Sequence, residues 1–346
     1  MKYASTRRLA LIATVLTFVV IILGAKTRLT DAGLGCPDWP GCYGYLTVPE
    51  SQEAIDPNVT LYAERDLEKP KAWMEMIHRY FAGALGLLIG AIAVMSWLQR
   101  KQNNHPVLLP SILLLVVTMQ AALGAWTVTM KLNPSIVMLH LLGGFTIFCL
   151  LFILSIKLSK AGQPFRIKRT TIETLKPWAI LALVVTITQI ALGGWTSANY
   201  AAEICNGWNS LPICQGPWYE NLDFKEALRF WGFDLPPKGH FENGHLEGAP
   251  LVTIHVMHRI GAMVALVVLG LFGWRLRRDS NQLLVDLGTF LWLVLAVQII
   301  LGVNNVVFQL PLWNAIAHNA VGALLLVTVV GINYVLWIHK QRGRND

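Results

Sequence analysis

Four histidines, His78, His140, His258 and His318, stand inside otherwise apolar stretches of this chain, two of them in parallel contexts, "EMIHRYFAG" and "HVMHRIGAM". An ionisable side chain at that place is costly and usually faces the interior of a helix bundle. Neutral imidazole is a metal ligand, and two imidazoles approaching from opposite sides supply the axial positions of an iron porphyrin. A lone histidine has a plainer reading, a hydrogen bond to a neighbouring helix. Four at one depth, on segments that repeat, favour metal. Zinc or copper would need further carboxylate or thiolate ligands; haem iron needs only two ligands from the protein.

Three positions before His78 stands Glu75, and the equivalent place before His258 holds His255. Residues three apart share a helix face, so both lie within reach of a porphyrin edge. A carboxylate in a low-dielectric pocket can accept a proton or offset developing positive charge, whereas imidazole suits hydrogen bonding and fine tuning. The first half therefore reads as the reaction site and the second as a resident redox site. The plain alternative for Glu75 is an interfacial ion pair with Arg79 or Lys71. Arg79 and Arg259, each next to its histidine, are expected either to pair with haem propionates or to snorkel to lipid phosphate.

Long apolar elements must position these groups. Of 346 residues, 54% are hydrophobic and 14% charged, with a mean hydropathy of +0.50, too apolar for soluble domains of this length. Runs of about 20 residues, enough to cross a bilayer, cover 9–28, 74–98, 107–129, 134–156, 177–197, 252–274, 283–307 and 313–338. Eight crossings put both termini on one side. Of the 28 Lys and Arg residues, 17 fall on that side, which marks it as cytoplasmic. The net charge of +8 is thus topological and no footprint of nucleic acid. The start "MKYASTRR" is too short for an organelle presequence, and the first span has no small-residue cleavage site, so it reads as a retained anchor in a bacterial cytoplasmic (inner) membrane. Loops 29–73 and 198–251 face outward. Even-numbered spans run inward, and the four histidines lie roughly 4–7 residues, about 6–10 Å, below the outer ends.

The chain repeats itself. "ILGAKT" (22–27) matches "ALGGWT" (191–196) at an offset of 169, which Cys36 and Cys205 share; His78 and His258 differ by 180; "QAALG" and "QIILG", like His140 and His318, differ by 178. The expected fold class is an all-α integral membrane protein whose eight helices form two duplicated four-helix bundles related by a pseudo-twofold axis along the membrane normal. The units are 1–156, a cytoplasmic linker 157–176, and 177–346. Gln120, Gln189 and Gln298 precede the "LG" motifs and suit interhelical hydrogen bonds; the adjoining glycines allow close approach or room for a flat ring. Cys36 with Cys42, and Cys205 with Cys214, are close pairs in an oxidising compartment, expected as local disulfides, with redox exchange as the alternative. Cys149 reads as a small packing residue. Trp39, Trp208, Trp218 and Trp231 suit an interfacial belt, and 223–233 suits a short amphipathic surface helix. His105, His240, His245 and His339 read as solvated surface.

Through "RLTDAGLGCPDWPGC", "EMIHR", His140, "HVMHR" and His318 the chain resembles the haem A synthase family over nearly its whole length. That resemblance implies conversion of haem O to haem A, the C8 methyl becoming a formyl group, for delivery to terminal oxidases. It implies a haem b cofactor on His258 and His318, with His78, His140 and Glu75 around the substrate haem, and a disulfide between Cys36 and Cys42. Segment 203–250 is longer than in compact members. Expected partners are haem O synthase or terminal oxidase assembly factors, membrane lipid and a second copy of the chain. A non-catalytic dihaem electron carrier between quinol and a periplasmic partner is the rival reading, and a transporter the third.

Overall fold

A computed structural model describes residues 4–63, 65–101, 106–159, 167–231, 236 and 239–338. His105 and His339 lie outside the described residues. Among those described there is no strand, and eight helices are long and apolar enough to cross a membrane. Only these are numbered: α1 Ala4–Leu29, α2 Lys69–Leu98, α3 Leu108–Thr129, α4 Pro134–Lys157, α5 Arg169–Ala198, α6 Ala249–Arg277, α7 Gln282–Val307 and α8 Leu312–Ile338. The chain is a multi-pass membrane protein of the all-α class.

Local chemistry sets the ends. Asn133 caps α4 by accepting from the Ser135 amide at 2.9 Å, and Pro134 follows at the first helical position, where a missing N–H costs nothing. Asn281 caps α7 in the same way, accepting from the Leu283 amide. The α3–α4 and α7–α8 turns each use two successive left-handed residues, Lys131–Leu132 and Gln309–Leu310. Such backbone is rare for residues carrying a Cβ; here the Leu132 amide donates to the Thr127 carbonyl and the Leu310 amide to the Asn305 carbonyl, both at 2.8 Å. Hydropathy marks only the part of a helix inside hydrocarbon, so α2 begins five residues before the expected span and α5 eight, taking up the end of the 157–176 linker. Pro177 falls within α5.

Helices α1 to α4 pack as a ring in chain order, α1 closing on α4, and α5 to α8 do the same with α8 closing on α5. In each ring the two even-numbered helices are therefore diagonal. The rings join where α4 meets α5, α1 meets α8 and α4 meets α8. Ala13, Leu85, Ile89, Leu113 and Leu151 fill the first ring, Ala182, Leu269, Leu291 and Ile332 the second, and Ile21, Phe148, Cys149, Ala323 and Leu326 the seam. Cys149 is thus a packing residue. Lipid offers helices no hydrophobic drive to associate, so close contact decides: a Cβ on Gly288 would stand 2.8 Å from the Gly273 carbonyl oxygen, bringing α6 and α7 together.

At the short-loop end Arg100, Lys176, Arg275 and Arg278 lie over the rings of Trp97, Trp337, Trp178 and Trp274, a belt suited to a headgroup boundary. The other end carries both long loops. Of segment 223–233 the described residues are 223–231, and among these only Phe224–Ala227 is helical. The expected amphipathic helix stops because Trp231 leaves it: its indole is 7% exposed, among Leu34, Val128, Leu132 and Phe241, and its amide donates to Ser135 Oγ. Burying so large a ring outweighs one more helical turn. Trp231 is accordingly no belt residue. Nor is His245 solvated, since it meets Trp231 and Phe241 edge-on at 4.6 and 4.9 Å; His240 is only partly exposed. The second long loop thus covers the mouth of the first ring, and Arg65 pairs with Glu242 across the two loops.

Candidate functional site

His78 and His258 each lie nine residues beyond the first residue of their helices, Lys69 and Ala249; His140 and His318 lie six beyond Pro134 and Leu312. Each of the four residues is half-buried. His78 and His140 are near enough to interact electrostatically, and so are His258 and His318. The structure thus brings the four expected histidines together as two diagonal pairs.

Every ring rests against a glycine of the adjacent odd-numbered helix. A Cβ on Gly24 would stand 3.0 Å from His78 Cε1, one on Gly124 3.3 Å from that of His140, one on Gly193 3.0 Å from that of His258, and one on Gly302 3.1 Å from that of His318. These glycines belong to the "LG" motifs. Their role in the sequence is therefore to seat an imidazole, and any side chain there would crowd it. Gln120 donates from Nε2 to the His140 carbonyl at 2.5 Å, Gln189 to the His258 carbonyl at 3.0 Å while also lying 3.0 Å from His258 Nδ1, and Gln298 Nε2 lies 3.3 Å from His318 Nε2. The expected interhelical bonds are made, and made to the histidines.

Glu75 is 4% exposed. Its Oε1 accepts from Arg79 Nη2 at 2.5 Å and its Oε2 from the Cys36 amide at 2.9 Å. The ion-pair partner is Arg79; Lys71 pairs with Glu68 instead. His255 is likewise buried, and its Nδ1 donates to the Ala201 carbonyl at 2.7 Å. The side chain of Arg79 is 11% exposed and Arg259 7%, and both turn toward their loops. Arg79 Nη1 donates to the carbonyls of Asp38 at 2.9 Å and Gly41 at 2.5 Å, within the loop closed by the Cys36–Cys42 disulfide. Arg259 donates to the carbonyls of Ser210, at 2.5 Å, and Cys205, within the loop closed by Cys205–Cys214. Both expected disulfides are formed. Charge-assisted bonds to carbonyls are among the stronger hydrogen bonds, so each arginine ties its loop to the helix that carries its histidine. Ser210 and the loop carbonyls were not singled out from sequence; the signal was there, because Arg79 and Arg259 follow the repeat as Cys36 and Cys205 do.

The donor sets fit an iron porphyrin. Each half offers two imidazoles, and the Nδ1 atoms of His78, His140 and His318 are buried without a hydrogen-bond partner, a state that costs free energy unless a ligand answers it. Among the described residues no three or more His, Cys, Asp or Glu side chains gather to cage a bare metal ion. Two protein ligands with four from a macrocycle complete iron.

Residues 7–330 match the COX15-CtaA family, described as cytochrome oxidase assembly protein. Among curated relatives, the "Heme A synthase" of Shewanella oneidensis is 46% identical over 333 residues, 95% of this chain and 96% of that one. Those of a Caulobacter species, 28% identical over 92% of each chain, and of Shouchella clausii, 23% identical over 97% and 98%, bear the same name. A match over nearly the whole length, with every conspicuous side chain of the site inside it, places this protein in the COX15-CtaA family.

Proposed function

We propose that the chain makes haem A from haem O, oxidising the C8 methyl of the substrate to a formyl group. The observation that carries this reading is the His78/His140 pair, diagonal across a helix ring and glycine-seated, with the Glu75 carboxylate one helical turn from His78. His78 and His140 would hold the substrate iron. Glu75 is fixed by two donors, so its remaining lone pairs have a defined direction; it accepts a proton released as the methyl is oxidised or offsets positive charge at that carbon. Arg79 locks Glu75 to the disulfide loop and limits its motion. His258 and His318 would hold a haem b, which supplies electron transfer. His255 and Arg259 fasten the loop above that second site.

The halves are read as a duplication about an axis along the membrane normal. Every helix contact within α1–α4 has its counterpart within α5–α8, and the α1–α8 contact has its counterpart in α4–α5. The paired left-handed turns at Lys131–Leu132 and Gln309–Leu310 keep the 178 offset, and Asp31 and Tyr200 keep the 169 offset. Arg28 donates to the carbonyl of Ser197, its own counterpart at 169, as residues beside a twofold axis do. Two units divided at the α4–α5 connection are read from this, the second beginning with α5 at Arg169 and not at 177. The basic short-loop end would face the cytoplasm of a bacterial inner membrane, with both termini there and the haem sites toward the periplasm. Haem O synthase, oxidase assembly factors and a second copy of the chain are the proposed partners. The relatives named above are synthases, which leaves the electron-carrier reading without support.

The test is extraction of pigments from purified protein expressed with a source of haem O. Haem A is expected beside haem B. Haem B alone in every preparation would overturn the assignment.

A further inference from the structure

Four imidazoles share one frame, yet only three have a glutamine. Counting four residues back from the glycine under each ring gives Gln120, Gln189 and Gln298, but Val20 in α1 beneath His78. The opposing helices match. A Cβ on Gly143 would stand 2.1 Å from Gln120 Oε1, one on Gly261 2.3 Å from Gln189 Oε1, and one on Gly322 3.5 Å from Gln298 Nε2. Gly143 and Gly261 lie three residues beyond their histidines and Gly322 four; three beyond His78 stands Phe81. The amide is missing at one place in four; the glycine at the third position is missing at two, where Phe81 and Val321 stand.

An imidazole that binds iron through one nitrogen carries its proton on the other, and the group accepting that proton fixes the ring and strengthens the ligand. Gln189 and Gln298 lie 3.0 and 3.3 Å from ring nitrogens of His258 and His318, and Gln120 ties the His140 carbonyl, so each amide meets its histidine and can present an N–H or, turned over, its oxygen. The side chain of Val20 can make no such contact, and His78 meets only the backbone there. Substrate haem must enter and product haem leave at each turnover, whereas a resident cofactor stays, so one ligand of the first half has to yield.

We propose that Gln120, Gln189 and Gln298 are positioning residues that hold His140, His258 and His318, and that Val20 with Phe81 leaves His78 the ligand that lets go of the substrate. This rests on the haem reading above. His140 then remains the fixed anchor while His78 engages and releases.

The test follows haem loss from the purified full-length protein to excess apomyoglobin, by absorption, without turnover. The phase belonging to the first half is the one that His78→Ala abolishes. In V20Q/F81G, where F81G opens a notch for the amide, that phase is expected to slow roughly fivefold, the factor one added hydrogen bond gives. Q120V is expected to quicken it by a similar factor. Q298V should shift the absorption bands of the second-half haem and leave the first-half phase alone. An unchanged phase in both V20Q/F81G and Q120V would overturn the proposal, as would the same slowing in F81G alone, which would make the effect steric. If His78→Ala leaves haem content and both phases untouched, the ligand assignment itself has failed and the proposal falls with it; if His78→Ala removes the phase and the glutamine variants do nothing, only the proposal falls.

Discussion

The residue one turn before the first histidine differs between the halves, and the loop above has changed to suit it. Glu75 meets the amide of Cys36; His255 meets the carbonyl of Ala201. An acceptor faces a donor in one half and a donor faces an acceptor in the other. The neighbouring arginine does the same work in both, binding the carbonyls of its disulfide loop. The shared parts, histidine, glycine and arginine, make a frame that positions two rings and a loop. The unshared carboxylate, held by two donors, is the difference on which the proposed division of labour turns.

The largest expected effect tests whether the halves have different tasks at all. His78→Ala should abolish haem A formation while leaving the visible spectrum of the resident haem in place, and His258→Met should alter that spectrum. Loss of the resident spectrum in His78→Ala, or an unaltered one in His258→Met, would end the division of labour.

Next comes the divergent position. Glu75→Ala should lower product formation by roughly 10²-fold or more, the range for a lost proton-transfer group, while His255→Ala should retain most of it. Should Glu75→Ala keep full production while His78→Ala has none, the carboxylate has no part in the reaction although the ligand assignment survives. His255→Glu sharpens the contrast: a carboxylate facing the Ala201 carbonyl sets lone pair against lone pair, and thermal melting should show a less stable protein than His255→Ala does.

The smallest effect concerns the loop that passes from the second half over the first. Burial acts to raise the Glu242 carboxyl, but the hydrogen bond and charge of Arg65 outweigh it and hold the group below its ordinary value. A depressed carboxyl contributes stability that is complete above the unfolded value and lost as pH falls through the folded one. Glu242→Gln should therefore lower stability at neutral pH by on the order of 1 kcal/mol after solvent screening of this part-exposed pair, read as a lower melting temperature. The gap from the unaltered protein should close in acid below the ordinary carboxylate range. A gap that persists in acid would show that the contact, not the charge, matters.

Much of the fold was legible in the chain. The eight apolar runs fell within a few residues of the helices, and the errors sat at ends such as Arg169, where the backbone stays helical beyond the hydrocarbon. Both disulfides were legible from spacing. The four histidines were legible as candidates because an ionisable group within a span is conspicuous. The loop contacts of the arginines were not legible: Arg79 finds its carbonyl partners about forty residues away in sequence, in a loop with no periodic pattern to announce where it folds back. Trp231 was misread for the same reason, since it is buried with Leu34 and Val128 of the other half, and His245 packs in turn on Trp231 and Phe241.

The number of crossings, the chemical types of the ligands and the echo of one half in the other were decided by sequence alone, since hydropathy, residue type and offset are properties of the linear chain. That each imidazole rests on a glycine, that Glu75 is shared between an arginine and a loop amide, and that the second loop covers the first ring were decided only by the tertiary structure. Those contacts join segments far apart in sequence, and close packing, which selects among the many ways apolar helices can meet in lipid, brought them together.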